Sequence, residues 1–332
     1  MRILSTLMLV LVALVALGVA FLYRGDLPAE FVDQKYSSDE SRFLETDTAR
    51  IHYRDRGSGD AIVLIHGSNA SLHTWEPWVD ILSEAYRVVT IDLPGHGLTG
   101  RVADDDYSTG AYIRTVNAVV DELGIDTFVL GGNSMGGGVT WNYALAHPER
   151  VERMILVDSS GLWSWREEST ETEPTESSTS AGETEAPPLA FQLLQQPWFR
   201  SIARYLDPRM LVEQGLRSAY NNSPVVTDDL IDRYYELSLR EGTRDATLAR
   251  FSGFRRDLAD EPDLSVLTQP TLIMWGAMDS LIPVETAYRF EAVLPNASVV
   301  VYDDLGHIPM EEAPGRTAQD VLDFLERSGN EG

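Results

Sequence analysis

Hydrophobic and polar positions change their period several times along this chain, and the changes divide it. From Ile3 to Tyr23 run 21 uncharged positions between Arg2 and Arg24, with Ser5 and Thr6 the polar side chains before Tyr23. About 20 apolar residues in a helix cross the roughly 30 Å hydrocarbon layer, so residues 1–24 read as an N-terminal membrane anchor. A cleaved export signal is the alternative, since Ala16-Leu17-Gly18 and Gly18-Val19-Ala20 both offer small-x-small cleavage sites. Under either reading the rest of the chain is expected outside the cytoplasm. Residues 25–41 are polar and acidic and read as a connector.

From Arg42 short β-rich runs alternate with amphipathic stretches, which predicts βα units and a mostly parallel sheet. Strands are expected near 43–46, 50–54, 61–66, 87–92, 127–132, 153–158, 271–276 and 297–302. The runs Ala61 to Ile65, Met154 to Val157 and Thr271 to Met274 are apolar without alternation, as in strands covered on both faces. Helices are expected near 76–84, 109–123, 135–147, 284–293 and 315–327, with Pro148 closing the third. Residues 166–188 offer no aromatic and almost no aliphatic side chain to bury, which predicts a disordered acidic insert. Residues 189–262 are aromatic-rich and helix-like, after which the strand pattern resumes. The segment interrupts one α/β domain.

Composition narrows the function. Against 26 Lys and Arg stand 52 Asp and Glu, a net charge of −26, and no basic cluster is present to meet a phosphate backbone, which excludes a conventional nucleic-acid partner. The absence of cysteine removes thiolate nucleophiles, disulfides and Cys-based metal sites. Lys35 is the only lysine.

The chemistry gathers around Gly132-Asn133-Ser134-Met135-Gly136, a Gly-x-Ser-x-Gly pattern. Alone it is weak. Here a strand precedes it and a helix follows, so the serine sits at a strained turn that lifts Oγ clear of the sheet and places it at a helix N-terminus. A serine oxygen needs a base, and the base needs an acid to hold its tautomer. Of six histidines, His307 follows the last expected strand and Asp279 the one before it. Catalytic groups in open α/β sheets gather at the carboxyl ends of the strands, where Ser134, Asp279 and His307 would meet. Asp158, after the sixth strand, is the alternative acid.

With these residues in hand, the sequence resembles the α/β-hydrolase superfamily from Arg42 to Arg327. His66-Gly67 and Asp92-Leu93-Pro94-Gly95-His96-Gly97 add to the resemblance. It implies an eight-stranded, mostly parallel sheet with helices on both faces, a core of residues 42–162 and 262–332, and a helical cap at 163–261. It also implies an oxyanion hole from the backbone N–H groups of Ser68 and Met135. The elbow Gly-Asn-Ser-Met-Gly-Gly is similar to that of the meta-cleavage-product hydrolases, which cut a carbon–carbon bond. Ser68-Asn69-Ala70 and Ile308 depart from their pattern, and Ser134 argues against the Asp-nucleophile dehalogenases and epoxide hydrolases.

The function expected from the sequence is therefore a serine hydrolase acting on a carboxylic ester of a small or medium apolar molecule through an acyl-enzyme. It needs no cofactor, no metal and no obligate protein partner, and it meets the membrane through its N-terminal segment. The alternatives are a carbon–carbon hydrolase on the same triad and a non-catalytic ligand-binding protein of the same fold. His66 and His96 read as loop-orienting, and His52, His73 and His147 as surface or packing residues. Trp75 and Trp78 read as core or pocket, Asp104 to Asp106 as a solvated loop, and Arg255-Arg256 as the one cationic spot in an apolar cap.

Overall fold

The computed structural model describes residues 18, 22–162, 205–253 and 262–329. Its centre is a sheet of β1 (Ser41–Glu45), β2 (Arg50–Gly57), β3 (Ala61–Ile65), β4 (Arg87–Ile91), β5 (Phe128–Asn133), β6 (Val151–Val157), β7 (Thr271–Gly276) and β8 (Ala297–Tyr302). They lie side by side as β1-β2-β4-β3-β5-β6-β7-β8. The β1–β2 and β2–β4 pairs are antiparallel and the other five parallel. All eight expected strands are present, with ends within three residues of their expected places.

The unbroken apolar runs have the reason expected for them, since each strand feeds two cores. In β3, Val63 and Ile65 join one hydrophobic cluster while Ile62 and Leu64 join the other, and in β7 Ile273 and Trp275 part from Leu272 and Met274 in the same way. Successive side chains point to opposite faces, so a strand covered on both sides has no polar face to spare. The first cluster is closed by α3 (Thr109–Glu122), α4 (Met135–Ala146) and α8 (Glu285–Val293), which supply Val116, Val139 and Phe290. The second is closed by α2 (Glu76–Leu82) and α9 (Pro314–Gly329), which supply Trp78 and Val321. Trp75 and Trp78 are fully buried, with ring centroids 5.1 Å apart, which settles both as core. Each buried side chain of this size contributes about 1.5–3 kcal/mol.

Between β6 and β7 the described part of the cap comprises α5 (Arg209–Ala219), α6 (Asp228–Leu239) and α7 (Thr243–Gly253). The expected insert at 166–188 and Arg255-Arg256 lie outside the described residues, as does nearly all of the expected anchor at 1–24. Among the described residues no helix is long and apolar enough to cross a membrane.

The expected connector is more structured than its polarity suggests. It forms α1 (Ala29–Tyr36), and residues 22–36 are fastened to the cap as a strap. Leu27 N donates to Leu239 O at 2.7 Å and its carbonyl accepts from Glu241 N at 2.9 Å, while Arg24 N donates to Tyr205 O at 2.7 Å. Ion pairs join Arg244 to Asp26, Arg240 to Asp33 at 2.8 Å, and Lys35 to Glu236 at 2.6 Å. Val32, buried with Leu98 and Leu237, is the apolar anchor of α1. One buried residue in eight is too little periodicity to read as a helix.

Candidate active site

The elbow is built by exclusion of side chains. Ser134 has φ 53° and ψ −117°, a left-handed backbone that a non-glycine residue rarely adopts. The turn is so tight that a Cβ on Gly132 would strike the backbone of Gly136, and one on Gly136 would strike the carbonyls of Ile65 and His66. The strain is held by the sheet: Ser134 N donates to Val157 O at 3.0 Å, and Ser134 O accepts from Gly138 N at 3.1 Å and Ser160 N at 2.9 Å. Met135 opens α4, so its N–H is one of the first-turn donors with no partner inside the helix.

Asp279 and His307 come together as the sequence predicted. His307 Nδ1 donates to Asp279 Oδ2 at 2.6 Å, and the two side chains are 5% and 0% exposed. The other Asp279 oxygen accepts from Leu281 N at 2.7 Å and Ile282 N at 3.1 Å, so the carboxylate cannot turn away. The His307 loop is held on three sides. Glu312 accepts from Gly306 N at 3.0 Å and Ile308 N at 3.3 Å, His307 N donates to the cap carbonyl of Ala219 at 2.7 Å, and Asn133 Nδ2 donates to His307 O at 3.0 Å. That last bond ties the residue before Ser134 to the backbone of the predicted base.

Asp158 does not take the acid's place. It is fully buried, with Oδ1 accepting from Gly276 N at 3.0 Å and Oδ2 without a partner. Burial first, and then the charge of Asp279, push its carboxyl well above the usual range, which favours the neutral acid behind the pair. One ligand atom each from Asp158, Asp279 and His307 lies within 4.8 Å of the others. Those of Asp279 and His307 are already spent on one another, which leaves a poor cation cage.

A carboxyl that stays protonated only in the native state makes that state bind more protons, so its contribution to stability is full below about pH 4 and declines as pH rises towards its raised value. Asp158→Asn removes that decline. The variant's Tm relative to wild type is expected to climb steadily from pH 5 to pH 8, and a difference that does not change with pH would count against the protonated assignment.

The remaining motif residues are structural. Asp92 accepts from His52 Nδ1 at 2.7 Å, Leu72 N at 2.7 Å and Leu98 N at 2.8 Å. Although burial opposes it, His52 and the neighbouring histidines hold this carboxyl below the usual range. His66 donates from Nδ1 to Gly67 O at 2.7 Å and accepts from Leu93 N at 3.1 Å. Burial depresses its pKa and that of His73, the latter to about 4. His52 and His73 are thus buried polar links, and His147 packs at the surface against Asn117. Asp105 and Asp106 form exposed pairs with Arg101 and Arg114, as a solvated loop would.

The loop after β3 brings Ser68 to the elbow, where a Cβ on Gly67 would lie 3.2 Å from Ser134 Cβ. Against it rests a residue that sequence reasoning missed. Arg250, on cap helix α7, donates from Nη1 to Ser68 Oγ at 3.1 Å and from Nη2 to Asn69 Oδ1 at 2.8 Å. No motif surrounds Arg250, and only the packed cap reveals it.

Comparison with known proteins agrees with this geometry. The model of the alpha/beta hydrolase fold matches residues 60–314. The chain is 28% identical over 284 residues to 2-hydroxymuconate semialdehyde hydrolase of Pseudomonas sp. (strain CF600), covering 83% of this chain and 90% of that protein. Among solved structures, a serine hydrolase involved in carbazole degradation is 25% identical with a TM-score of 0.68, over 86% of this chain and 98% of the other. A membrane phospholipase A is 26% identical with a TM-score of 0.68, over 98% of this chain and 99% of the other. This chain's curated relatives 2-hydroxymuconate semialdehyde hydrolase and 2-hydroxy-6-oxononadienedioate/2-hydroxy-6-oxononatrienedioate hydrolase are of the meta-cleavage-product type, so the comparisons favour the carbon–carbon alternative over the ester reading. Sheet order, elbow and matched residues lead to one assignment: the chain belongs to the α/β-hydrolase family.

Proposed function

We propose that this protein is a serine hydrolase that cleaves a carbon–carbon bond beside a ketone, as the meta-cleavage-product hydrolases do. The observation that carries the reading is that relatives of this activity align over 83% and 87% of the chain, cap included. The Asp279–His307 pair and the strained Ser134 supply the chemistry. Ser134 Oγ attacks the carbonyl while His307 takes its proton, and the oxyanion is held by the Ser68 and Met135 N–H groups. In the keto tautomer of a 2-hydroxy-6-oxo-dienoate, where C5 carries two hydrogens, collapse breaks the C5–C6 bond and expels C5 as an enolate conjugated to the C2 carbonyl, to which His307 returns the proton. Water, activated by the same base, then frees the acyl group. These steps call on no cofactor.

Ester hydrolysis remains the second reading, on one observation. The alignment to the membrane phospholipase A covers 98% of this chain, so it must run into the uncharged segment Ile3 to Tyr23. We propose further, from the uncharged run Ile3 to Tyr23, an anchored protein whose catalytic domain lies outside the cytoplasm, for which retention in carbonate-washed membranes and protease accessibility from the outer face are the tests.

The full-length protein should be offered a chromogenic 2-hydroxy-6-oxo-dienoate and a series of p-nitrophenyl esters. A kcat/KM for the dienoate about 100-fold above that of the best ester is the expected result. The reverse ratio would establish the ester reading, and no turnover of either by folded protein would leave the ligand-binding alternative.

A further inference from the structure

Arg250 reaches from the cap to the elbow among neutral groups. In a protein of net charge −26, no carboxylate pairs with it among the described residues. Its hydrogen-bond partners are neutral: Ser68 Oγ, Asn69 Oδ1, Thr247 Oγ1 at 3.5 Å, His96 Nε2 at 2.6 Å and the Tyr112 hydroxyl. Its Nε is buried without an acceptor. The histidine's tautomer is fixed to suit, because His96 Nδ1 donates to Pro94 O at 3.0 Å and Nε2 is left to accept. Burial, and then the guanidinium itself, push His96 well below its ordinary pKa, so the contact is a donor meeting an acceptor rather than two cations meeting. Gly95, at φ 80°, lets the Asp92 to Gly97 loop pass close, since a Cβ there would lie 3.3 Å from Arg250 Cδ.

Two of these contacts fall on the loop that carries the Ser68 N–H. Asn69 holds a left-handed φ of 60°, and its side chain is clamped by the guanidinium. Preorganised donors are worth most where their geometry costs nothing to assemble, and a full positive charge in a water-poor site lowers the energy of a nearby oxyanion. We infer that Arg250 is a positioning residue for the oxyanion hole: it reaches from the cap to the Ser68-Asn69 loop, fixes that loop, and makes the hole complete only when the cap is seated. This rests on the reading of Ser134 as nucleophile and Ser68 as oxyanion donor. Its consequence is that cap closure and transition-state stabilisation are one event, so a substrate that props the cap open is bound without being turned over.

The test uses full-length protein, the better substrate from the assay above, and phenylboronic acid, whose boron accepts Ser134 Oγ and presents a tetrahedral anion to the hole. Arg250→Met is expected to lower kcat about 100-fold and to weaken phenylboronic acid by a similar factor, with KM changed less than about threefold. Arg250→Lys keeps the charge and one contact, and should recover about tenfold of the loss. Should Arg250→Met fail to fold, Ser68→Ala keeps the backbone donor and removes the Arg250 acceptor, and a loss of about tenfold in both readouts is expected. A fall in Tm with kcat and boronate affinity preserved would overturn the inference, leaving Arg250 a purely structural strut. Failure of phenylboronic acid to inhibit wild type would remove the nucleophile reading first and this inference with it.

Discussion

Ser134→Ala is expected to lower turnover by about 10,000- to 1,000,000-fold, the range in which loss of a serine nucleophile falls when the rest of a triad is intact. The fold should not notice. Serine and alanine share the left-handed penalty at φ 53°, so the strain is the same in both, and the bonds that hold the turn are made by the Ser134 backbone. Single-turnover kinetics and a thermal melt on the same samples check both halves. A variant within about 100-fold of wild type would show that another group performs the chemistry.

Asp279→Asn is expected to cost about 10,000-fold in kcat while leaving KM nearly unchanged. The carboxylate fixes His307 with its proton on Nδ1 and Nε2 open, whereas an amide can turn its NH2 towards Nδ1 and leave the proton on Nε2, where it blocks acceptance from serine. Asp158 is not expected to rescue the variant, because burial favours its neutral form and its Oδ1 is bound to Gly276 N. Steady-state rates of Asp279→Asn, Asp158→Asn and the double variant decide the point. If Asp158→Asn lost as much as Asp279→Asn, the acid would be assigned to the wrong strand.

The sequence reveals the elements that are long, strongly patterned, or tied to chemistry needing a fixed spacing. β3 and β7 are legible because both their faces are buried, and an unbroken apolar run has no other cheap explanation in a soluble domain. Ser134, Asp279 and His307 are legible for a different reason: each follows a strand, and the sheet brings strand ends together. Other features depend on contacts made across long separations in the chain. Arg250 meets Ser68 across 182 residues, and nothing local to Thr247 or Phe251 foretells it. α1 is hidden likewise, since Val32 is buried together with Leu98 and Leu237, the second of them far along the chain, with Leu27, Tyr36 and Phe43 packed around them. The order of the two substrate readings also depends on more than the triad. The elbow pointed to carbon–carbon hydrolases while Ser68-Asn69-Ala70 and Ile308 pointed away, and whole-chain similarity weighs for the first.

The strap has a consequence in time. Its partners are far along the chain: Lys35 meets Glu236 201 residues later, and Arg244 donates to the carbonyl of Arg24 across 220. At the usual 5–20 residues per second of synthesis, roughly 10–40 s separate the emergence of the two sides. The segment made first can therefore be fastened to the cap only once residue 244 has emerged, and whatever receives the N-terminal run during those seconds does so before the cap can hold it.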